Sequence, residues 1–410
     1  MQGVDRPSDR ALLVALNGAP GLSRAALCRL GLDLGAWRGG LAPEACRALA
    51  ARFSISLDSI QTALDCRAGA KAALAHEEQS LARLGGRIVT CLEAGYPARL
   101  RDLALPPPVL EIAGALALDG FAPAPAAEVP PSTVATVATV AGVAGVESLA
   151  SVAIVGSRRA TPYGLEVAAW LARELAGAGV VVVSGFAKGI DAAAHEGALA
   201  AERGRTIGVL GCGLPFDYPK GHRELGARMR RHGALVSEFP CALPPAAGNF
   251  PVRNRIIAAL AEIVVVVEAA VQSGSLITAR LALDLGREVL AVPGRVTDEQ
   301  ALGTNDLLRD GAAPVTHPAD ILERLGLAAS SGGTGVGTRA GRSIAALPAN
   351  LPATQAALLT ALDPEREQAV DGLAAAAELG IDVAVAALLE LELSGWAIRT
   401  AGGGYRRRVP

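Results

Sequence analysis

Six short apolar runs rich in β-branched residues recur in the middle of the chain: VAIVG, VVVVSG, TIGVLG, ALVSE, IVVVVEA and EVLAVPG. Each is short for a helix, and each is too uniformly apolar for a strand with one face in water. Between them lie segments of helical period, such as YGLEVAAWLARELAGAG and SLITARLALDLGRE. Strands buried on both faces need helices over both faces, and this alternation supplies them. The pattern predicts an α/β chain with a doubly wound, mostly parallel sheet.

The flanks read differently. Residues 1–70 are helical in pattern, and LNGAPGLSRAALCRL marks a glycine turn followed by a helix from about Ser23. This predicts a compact helical domain, with a SAM-like or helix-hairpin-helix grip on a DNA backbone as the sharper alternative. A core is expected over 71–326, opening with two short strands near 87–91 and 109–113 on either side of a proline turn. Within it, residues 120–149 are biased to Ala, Pro, Val and Thr and read as an insertion or surface loop. A Gly/Ser/Thr-rich linker is expected at 327–350. Residues 351–410 carry helical patterns at 353–361, 368–379 and 383–394, then WAIRTAGGGYRRR as two strands joined by a glycine turn. Three helices and a hairpin are the order of a winged helix.

Composition narrows the function. The chain has 410 residues, 51% of them apolar, and a net charge of −2. Any site for a polyanion must therefore be a local patch rather than a basic coat. The six cysteines form no C-x-x-C pair, so they read as reduced thiols, and no structural zinc is expected. The N-terminus lacks a signal-peptide pattern, and the uncharged run at 129–146 is too short and too broken by Pro, Ser, Thr and Gly to span a bilayer. A soluble, cytoplasmic protein without membrane attachment is expected.

In a doubly wound sheet, ligands bind where strands end and helices begin. The first central strand is followed by Gly156, Ser157, Arg158 and Arg159, and the second by Ser184, Gly185, Phe186, Ala187, Lys188, Gly189, Ile190 and Asp191. The third ends in Gly211, Cys212 and Gly213. Glu268 and then Ser273, Gly274 and Ser275 follow the fifth, and Pro293, Gly294 and Arg295 the sixth. Small residues let backbone N–H groups approach a ligand, and helix starts favour anions. FPVRNRIIAAL adds Phe250, Arg253, Asn254 and Arg255, with Asn254 as a cap for a helix whose apolar face includes Ile256, Ile257 and Leu260. Two guanidiniums at a helix start are unfavourable unless an anion sits among them. Arg158, Arg159, Lys188, Arg253, Arg255 and Arg295 at one edge predict an anion-binding face.

Catalytic signatures are sparse. G-x-G-x-x-G does not follow the first strand, and G-x-x-x-x-G-K-[ST], S-x-x-K and G-x-S-x-G are all absent. His195 and Glu196 lack the second histidine of a zinc-protease helix, and His222 with Glu224 reads as a helix-surface pair. Asp191 and Glu268 read as helix caps or partners of the arginines, or else as an acid and base if they converge.

Taken in order, VAIVGSRRATPYG, SGFAKGIDAAAHEGAL, GCGLPFDYP, SEFP with FPVRNRIIA, SGSLITARLALDLGREVLAVPG and GTNDLLRDGA resemble the DNA-processing protein A family, DprA or Smf. The resemblance runs from about Gly85 to Leu325, apart from the insertion. The helical N-terminal segment and LLELELSGWAIRTAGGGYRR also resemble flanking domains of that family. Where the family has asparagine after the YP of FDYP, this chain has His222.

The resemblance implies an extended Rossmann-like core, binding to single-stranded DNA as a homodimer, and help in loading RecA onto strands coated by single-strand-binding protein during natural transformation. It implies no catalysis and no cofactor. Carried over by position, the DNA- or phosphate-binding residues are Gly156, Ser157, Arg158, Arg159, Gly185, Phe186, Lys188, Gly189, Phe250, Arg253, Asn254, Arg255, Ser273, Gly274 and Ser275. Arg253 and Arg255 are then expected to hold phosphates, with Phe250 stacking on a base. The alternatives are a nucleotide or phosphoribosyl hydrolase using Glu268, and a nucleotide-sensing transcriptional regulator. The third helix of the tail, DVAVAALLELEL, has acids and no base, and only Arg406 to Arg408 beside the wing are positive, which favours a protein contact or an autoregulatory role over reading of the major groove.

Overall fold

The computed structural model describes residues 8–31, 34, 42–116, 118, 149–327, 351–363, 366–400 and 403–407. Apart from residues 149 and 327, the expected insertion and linker lie outside the described residues. The chain divides into two compact units, Met1–Ala329 and Ser330–Pro410.

Among the described residues of the first unit nine strands form one sheet: β1 Gly86–Thr90, β2 Val109–Gly114, β3 Ser151–Val155, β4 Val181–Ser184, β5 Thr206–Val209, β6 Ala234–Ser237, β7 Ile263–Val266, β8 Glu288–Ala291 and β9 Ala313–Pro314. Their order is β1-β2-β6-β5-β4-β3-β7-β8-β9. From β6 to β9 every pairing is parallel, and β1 and β2 add an antiparallel margin. The apolar runs are thus the strands, as expected.

The reason for their continuity is visible in the packing. Val152, Ile154, Val182 and Val265 meet Ala168, Leu171 and Leu175 of α5 (Pro162–Gly177) and Ala194 of α6 (Ile190–Ala200). The intervening Ala153, Val155, Val183 and Val266 meet Ile256, Ile257 and Leu260 of α8 (Asn249–Leu260) and Ala279 and Ala282 of α9 (Gly274–Asp284). Neither face of the central strands reaches water, so no polar alternation is written into them. Between α6 and α8, α7 (Arg223–His232) packs Leu225 and Met229 near Leu235. Two shorter helices, α10 (Leu302–Arg309) and α11 (Pro318–Arg324), complete the described part of the unit after β8.

Among the described residues four helices precede the sheet: α1 Asp9–Asn17, α2 Arg24–Gly31, α3 Pro43–Phe53 and α4 Leu57–Ala82. Here the expected boundary at residue 71 is corrected, because it falls inside α4. Strong helix formers continue to Ala82, and the chain breaks only at Gly85, whose φ of +64° is left-handed. Near its end α4 sends Glu77 into the core, where Cys241 N donates to Glu77 Oε1 at 2.6 Å and to Glu111 Oε1 at 3.0 Å. Burial, and then the neighbouring Glu77, push the Glu111 carboxyl up to about 10, so Glu111 is protonated at neutral pH. With Cys241 they form the one three-ligand cluster among the described residues.

In the second unit α12 (Ala353–Ala361), α13 (Val370–Ala376) and α14 (Ile381–Leu393) precede an antiparallel pair, β10 (Ala397–Arg399) and β11 (Tyr405–Arg407). Leu358, Leu373, Leu388, Leu391 and Tyr405 form its core. The helix expected from 368 starts at Val370, because Gln368 exchanges two backbone hydrogen bonds of 2.9 Å with Tyr405. No single described helix is long and apolar enough to cross a membrane.

One buried histidine gives the first unit a pH dependence. Thr206 donates its hydroxyl proton to Val182 O, so His195 Nδ1, 2.7 Å from that hydroxyl, must be the donor between them. His195 Nε2 is buried with no partner, and burial pulls the imidazole down to about 3. The neutral ring is the form that fits, so its contribution is complete above the ordinary value of 6.5 and is lost as pH falls from there toward 3. The slope from this one group is up to about 1.4 kcal/mol per pH unit. Urea unfolding between pH 7.5 and 4 should show this slope, and His195→Gln should flatten it by about one proton. Identical slopes in both proteins would contradict the assignment.

Candidate functional site

A cavity of about 880 Å³ opens at the carboxyl ends of the central strands. It lies where the sheet order reverses, with β4 on one side of β3 and β7 on the other. Its walls include Gly156 to Arg159 after β3, Phe250, Arg253 and Asn254 of α8, and Ser273 to Ser275 at the start of α9. Gln300 and Leu302 close it from the segment after β8.

The turn after β3 is rigid. Ser157 N donates to Glu268 O at 2.7 Å, and its hydroxyl accepts from Arg159 N at 3.0 Å and donates to Gln300 Oε1 at 2.6 Å. Gly189, at φ +80°, presses against this turn, and a Cβ there would lie 2.3 Å from Ser157 O. Held so, the turn presents Arg158 and Arg159 to solvent. The Arg158 guanidinium carbon lies 4.8 Å from the centre of the Phe250 ring, and Tyr218 lies 5.4 Å from that ring at a tilt of 33°. Gly211 leaves room for the ring, since a Cβ there would approach Phe250 to 2.8 Å. Ser273 caps α9, whose positive end opens on the cavity.

Several expected residues are placed differently. Asn254 does not cap α8: the helix begins at Asn249, five residues earlier, and Asn254 donates instead to Gly274 O at 3.3 Å. The first turn accommodates Pro251, which has no N–H to satisfy there. Arg253 is buried, and its guanidinium donates to Gly185 O and Val209 O at the ends of β4 and β5. Burial lowers it to about 10 while Asp191 opposes that shift, so it remains charged at neutral pH. Arg255 lies outside the cavity, paired through both terminal nitrogens with the buried Glu238 and donating to Leu105 O at 3.1 Å. The anions and acceptors sought for these two arginines are therefore supplied by the chain itself.

Gly185, Phe186, Lys188, Gly189 and Arg255 do not line this cavity. Gly185 lies beneath it, where a Cβ would meet Arg253 Nη2 at 2.5 Å. Phe186 is buried between the rings of His195 and His222, 6.0 and 5.3 Å away. Lys188 is exposed. His222 stands at the N-cap of α7 with its ring edge-on to Phe186, rather than on the helix surface beside Glu224.

Asp191 reaches the cavity and accepts from Ala187 N at 3.2 Å. Glu268 points the other way: it accepts from Thr161 N at 2.9 Å and from the Thr161 hydroxyl at the start of α5. The two carboxylates do not converge as an acid and base. Tyr218, Thr278 and Gln300 line the cavity and were not singled out from the sequence. FDYP contains Tyr218, but only the fold brings its ring to Phe250. Gln300 carries no local motif.

Residues 130–326 match the family model described as DNA recombination-mediator protein A, and residues 343–403 match the DprA winged helix domain. Protein Smf of Escherichia coli is 42% identical over 257 residues, 62% of this chain and 67% of that protein. The chain belongs to the DNA recombination-mediator protein A family. A putative DNA processing protein DprA of Mycobacterium tuberculosis is 41% identical over 263 residues, 62% of this chain and 61% of its own length. The X-ray structure of DNA processing protein A from Streptococcus pneumoniae aligns with a TM-score of 0.60 at 28% identity, covering 78% of this chain and 98% of that one.

The Arg255–Glu238 pair gives the site a stability test separate from ligand binding. Arg255→Met removes the hydrogen-bonded partner of the buried Glu238 carboxylate, leaving Arg24 as the neighbouring cation, and should cost up to about 3–5 kcal/mol in urea unfolding. The folded fraction should keep its affinity for anionic ligands. A stability loss near zero would show that the pair is dispensable.

Proposed function

We propose that this chain is a recombination mediator that binds single-stranded DNA in the cavity at the end of β3, without catalysis or cofactor. The observation that carries this reading is Arg158 beside Phe250, with the positive end of α9 opening on the same space. A guanidinium and a helix start suit phosphate, while an aromatic ring suits an unstacked base. A cavity of about 880 Å³ holds ligand-sized groups, and so suits a splayed strand rather than a duplex. Relatives named as DNA processing proteins support the same reading.

In this reading the exposed Arg158 and Arg159 hold phosphates, Phe250 and Tyr218 offer stacking, and Ser273, Gly274 and Ser275 supply polar contacts. Gly156, Ser157, Gly185, Gly189, Arg253 and Asn254 shape the site, while Lys188 extends its basic margin. Arg255 serves stability, and Phe186 serves packing. The protein acts in the cytoplasm as a homodimer, passing strands coated by single-strand-binding protein to RecA. Its working parts are the N-terminal helices, the sheet core, the linker and the winged-helix-like tail. The hydrolase alternative is disfavoured because Glu268 is occupied at the start of α5.

Fluorescence anisotropy with labelled oligo-dT and a matched duplex, across a salt series, tests the proposal. The single strand should bind more tightly, with a steep salt slope. That slope should fall by about 0.7 for each phosphate that Arg158→Ala or Arg159→Ala leaves without its cation. Phe250→Ala should lose about 1–3 kcal/mol of affinity. Equal affinity for duplex and single strand, or unchanged slopes in both arginine variants, would reject the site. Release of free base from nucleoside monophosphates, abolished by Glu268→Gln, would favour the hydrolase.

A further inference from the structure

In the winged-helix-like unit, α14 occupies the position of the helix that helix-turn-helix readers lay in the major groove. Its inward face is closed: Ala384, Ala387, Leu388 and Leu391 are buried among Leu358, Leu359, Leu373 and Tyr405. Its outward face is apolar as well. Val385, Leu389 and Leu393 follow one another at four-residue spacing and are 47%, 50% and 80% exposed. Ile381, one turn before Val385 and 58% exposed, extends the stripe at its N-terminal end.

The charges carried by α14 itself are all of one sign. At about 100° per residue, Glu390 and Glu392 fall on opposite flanks of it and Asp382 lies near its N-terminal end. Helix α14 carries no basic residue. Glu390 accepts from Gln355 Nε2 of α12 at 2.5 Å, which holds its carboxylate beside the stripe. The helix offers phosphate no cation of its own, which argues against the groove-reading role suggested by position. Anionic lipid finds no cation on it either. A second α14 laid face to face would bring the same acids together without a base between them. Exposed apolar surface of this extent, flanked by acids of its own helix, is suited to an apolar partner carrying the opposite charge.

We propose that the outward face of α14 docks a basic amphipathic helix of a partner protein. The partner lays an apolar stripe along Val385, Leu389 and Leu393 and sets Lys or Arg side chains against Glu390, Glu392 and Asp382. This is helix-on-helix recognition read through anchors one turn apart, with charge fixing orientation. It is independent of the cavity at the end of β3, so the two sites serve different ligands.

The test uses the full chain and a fluorescein-labelled model peptide with Leu and Lys in a helical amphipathic repeat. A matched peptide with Glu in place of Lys is the control. The Lys peptide should bind saturably, and Leu389→Asp and Leu389→Ser should each weaken it by about tenfold, as expected for removal of a central apolar anchor. Glu390→Gln combined with Glu392→Gln should weaken it by about threefold, and more at low salt. The Glu peptide should not bind, and affinity for oligo-dT should stay the same in every variant. Leu389 is half exposed, so the variants should keep the parental melting temperature. Equal binding of both peptides, or parental affinity in both Leu389 variants, overturns the proposal. So does a loss of self-association on Leu389→Asp in sedimentation velocity, which would make a second copy the occupant. Tighter binding to phosphatidylcholine–phosphatidylglycerol vesicles than to the peptide, abolished by Leu389→Asp, would assign the face to lipid instead.

Discussion

The guanidinium of Arg253 lies enclosed where β4, β5 and α8 meet, and the cavity is arranged around it. It supplies donors to the carbonyls of Gly185 and Val209 just where the strands stop pairing. Strand ends under a cavity would otherwise leave acceptors without water or partner, at a cost of about 1–3 kcal/mol each. Its burial sets conditions on its neighbours. Position 185 has no room for a side chain, and Asp191 must stand close enough to oppose the desolvation of the charge. One turn earlier on α8, Phe250 is set over Gly211.

The same helix shows how one charge type serves two purposes. Arg253 and Arg255 are two residues apart, so on a helix they leave it in nearly opposite directions. Arg253 turns beneath the cavity. Arg255 turns toward Glu238 and Leu105 and ties α8 to the segments after β6 and before β2. Neither points freely into solvent. Among the cavity-lining residues the exposed positive charge comes from Arg158 and Arg159, beside the turn that the hydrogen bonds of Ser157 hold at the rim. A protein of net charge −2 can thus offer a polyanion a site without a basic surface.

The two ends of the chain carry a related contrast between position and chemistry. Helix α4 runs from the N-terminal helices to the sheet and places a carboxyl against Glu111 and the Cys241 amide, so its second half belongs to the core as much as to the helices before it. In the last unit, α14 has the place of a groove-reading helix, but its outward residues are aliphatic and acidic. Topology assigns a position in the fold, and the side chains decide what that position can touch.

Much of this was legible from sequence, for reasons that can be named. The apolar runs announce strands buried on both faces because nothing else explains apolar residues at consecutive positions in segments so short. The small and basic residues after them announce a ligand edge because a parallel sheet directs all its carboxyl ends one way. The ordered motifs carry the family. The tertiary structure decided which of these residues face the cavity. Asn254 reads as a cap until Asn249 and Pro251 are seen to start the helix, which puts Asn254 and Arg253 inside the helix rather than at its end. Arg255 reads as a phosphate ligand until Glu238, 17 residues away in the chain, is seen beside it. Tyr218 and Gln300 reach the cavity from segments with no local sign of doing so. Periodicity is a local property and survives in a single line of letters. The partner of a charge is set by the folding of distant segments together, and no spacing in the sequence records it.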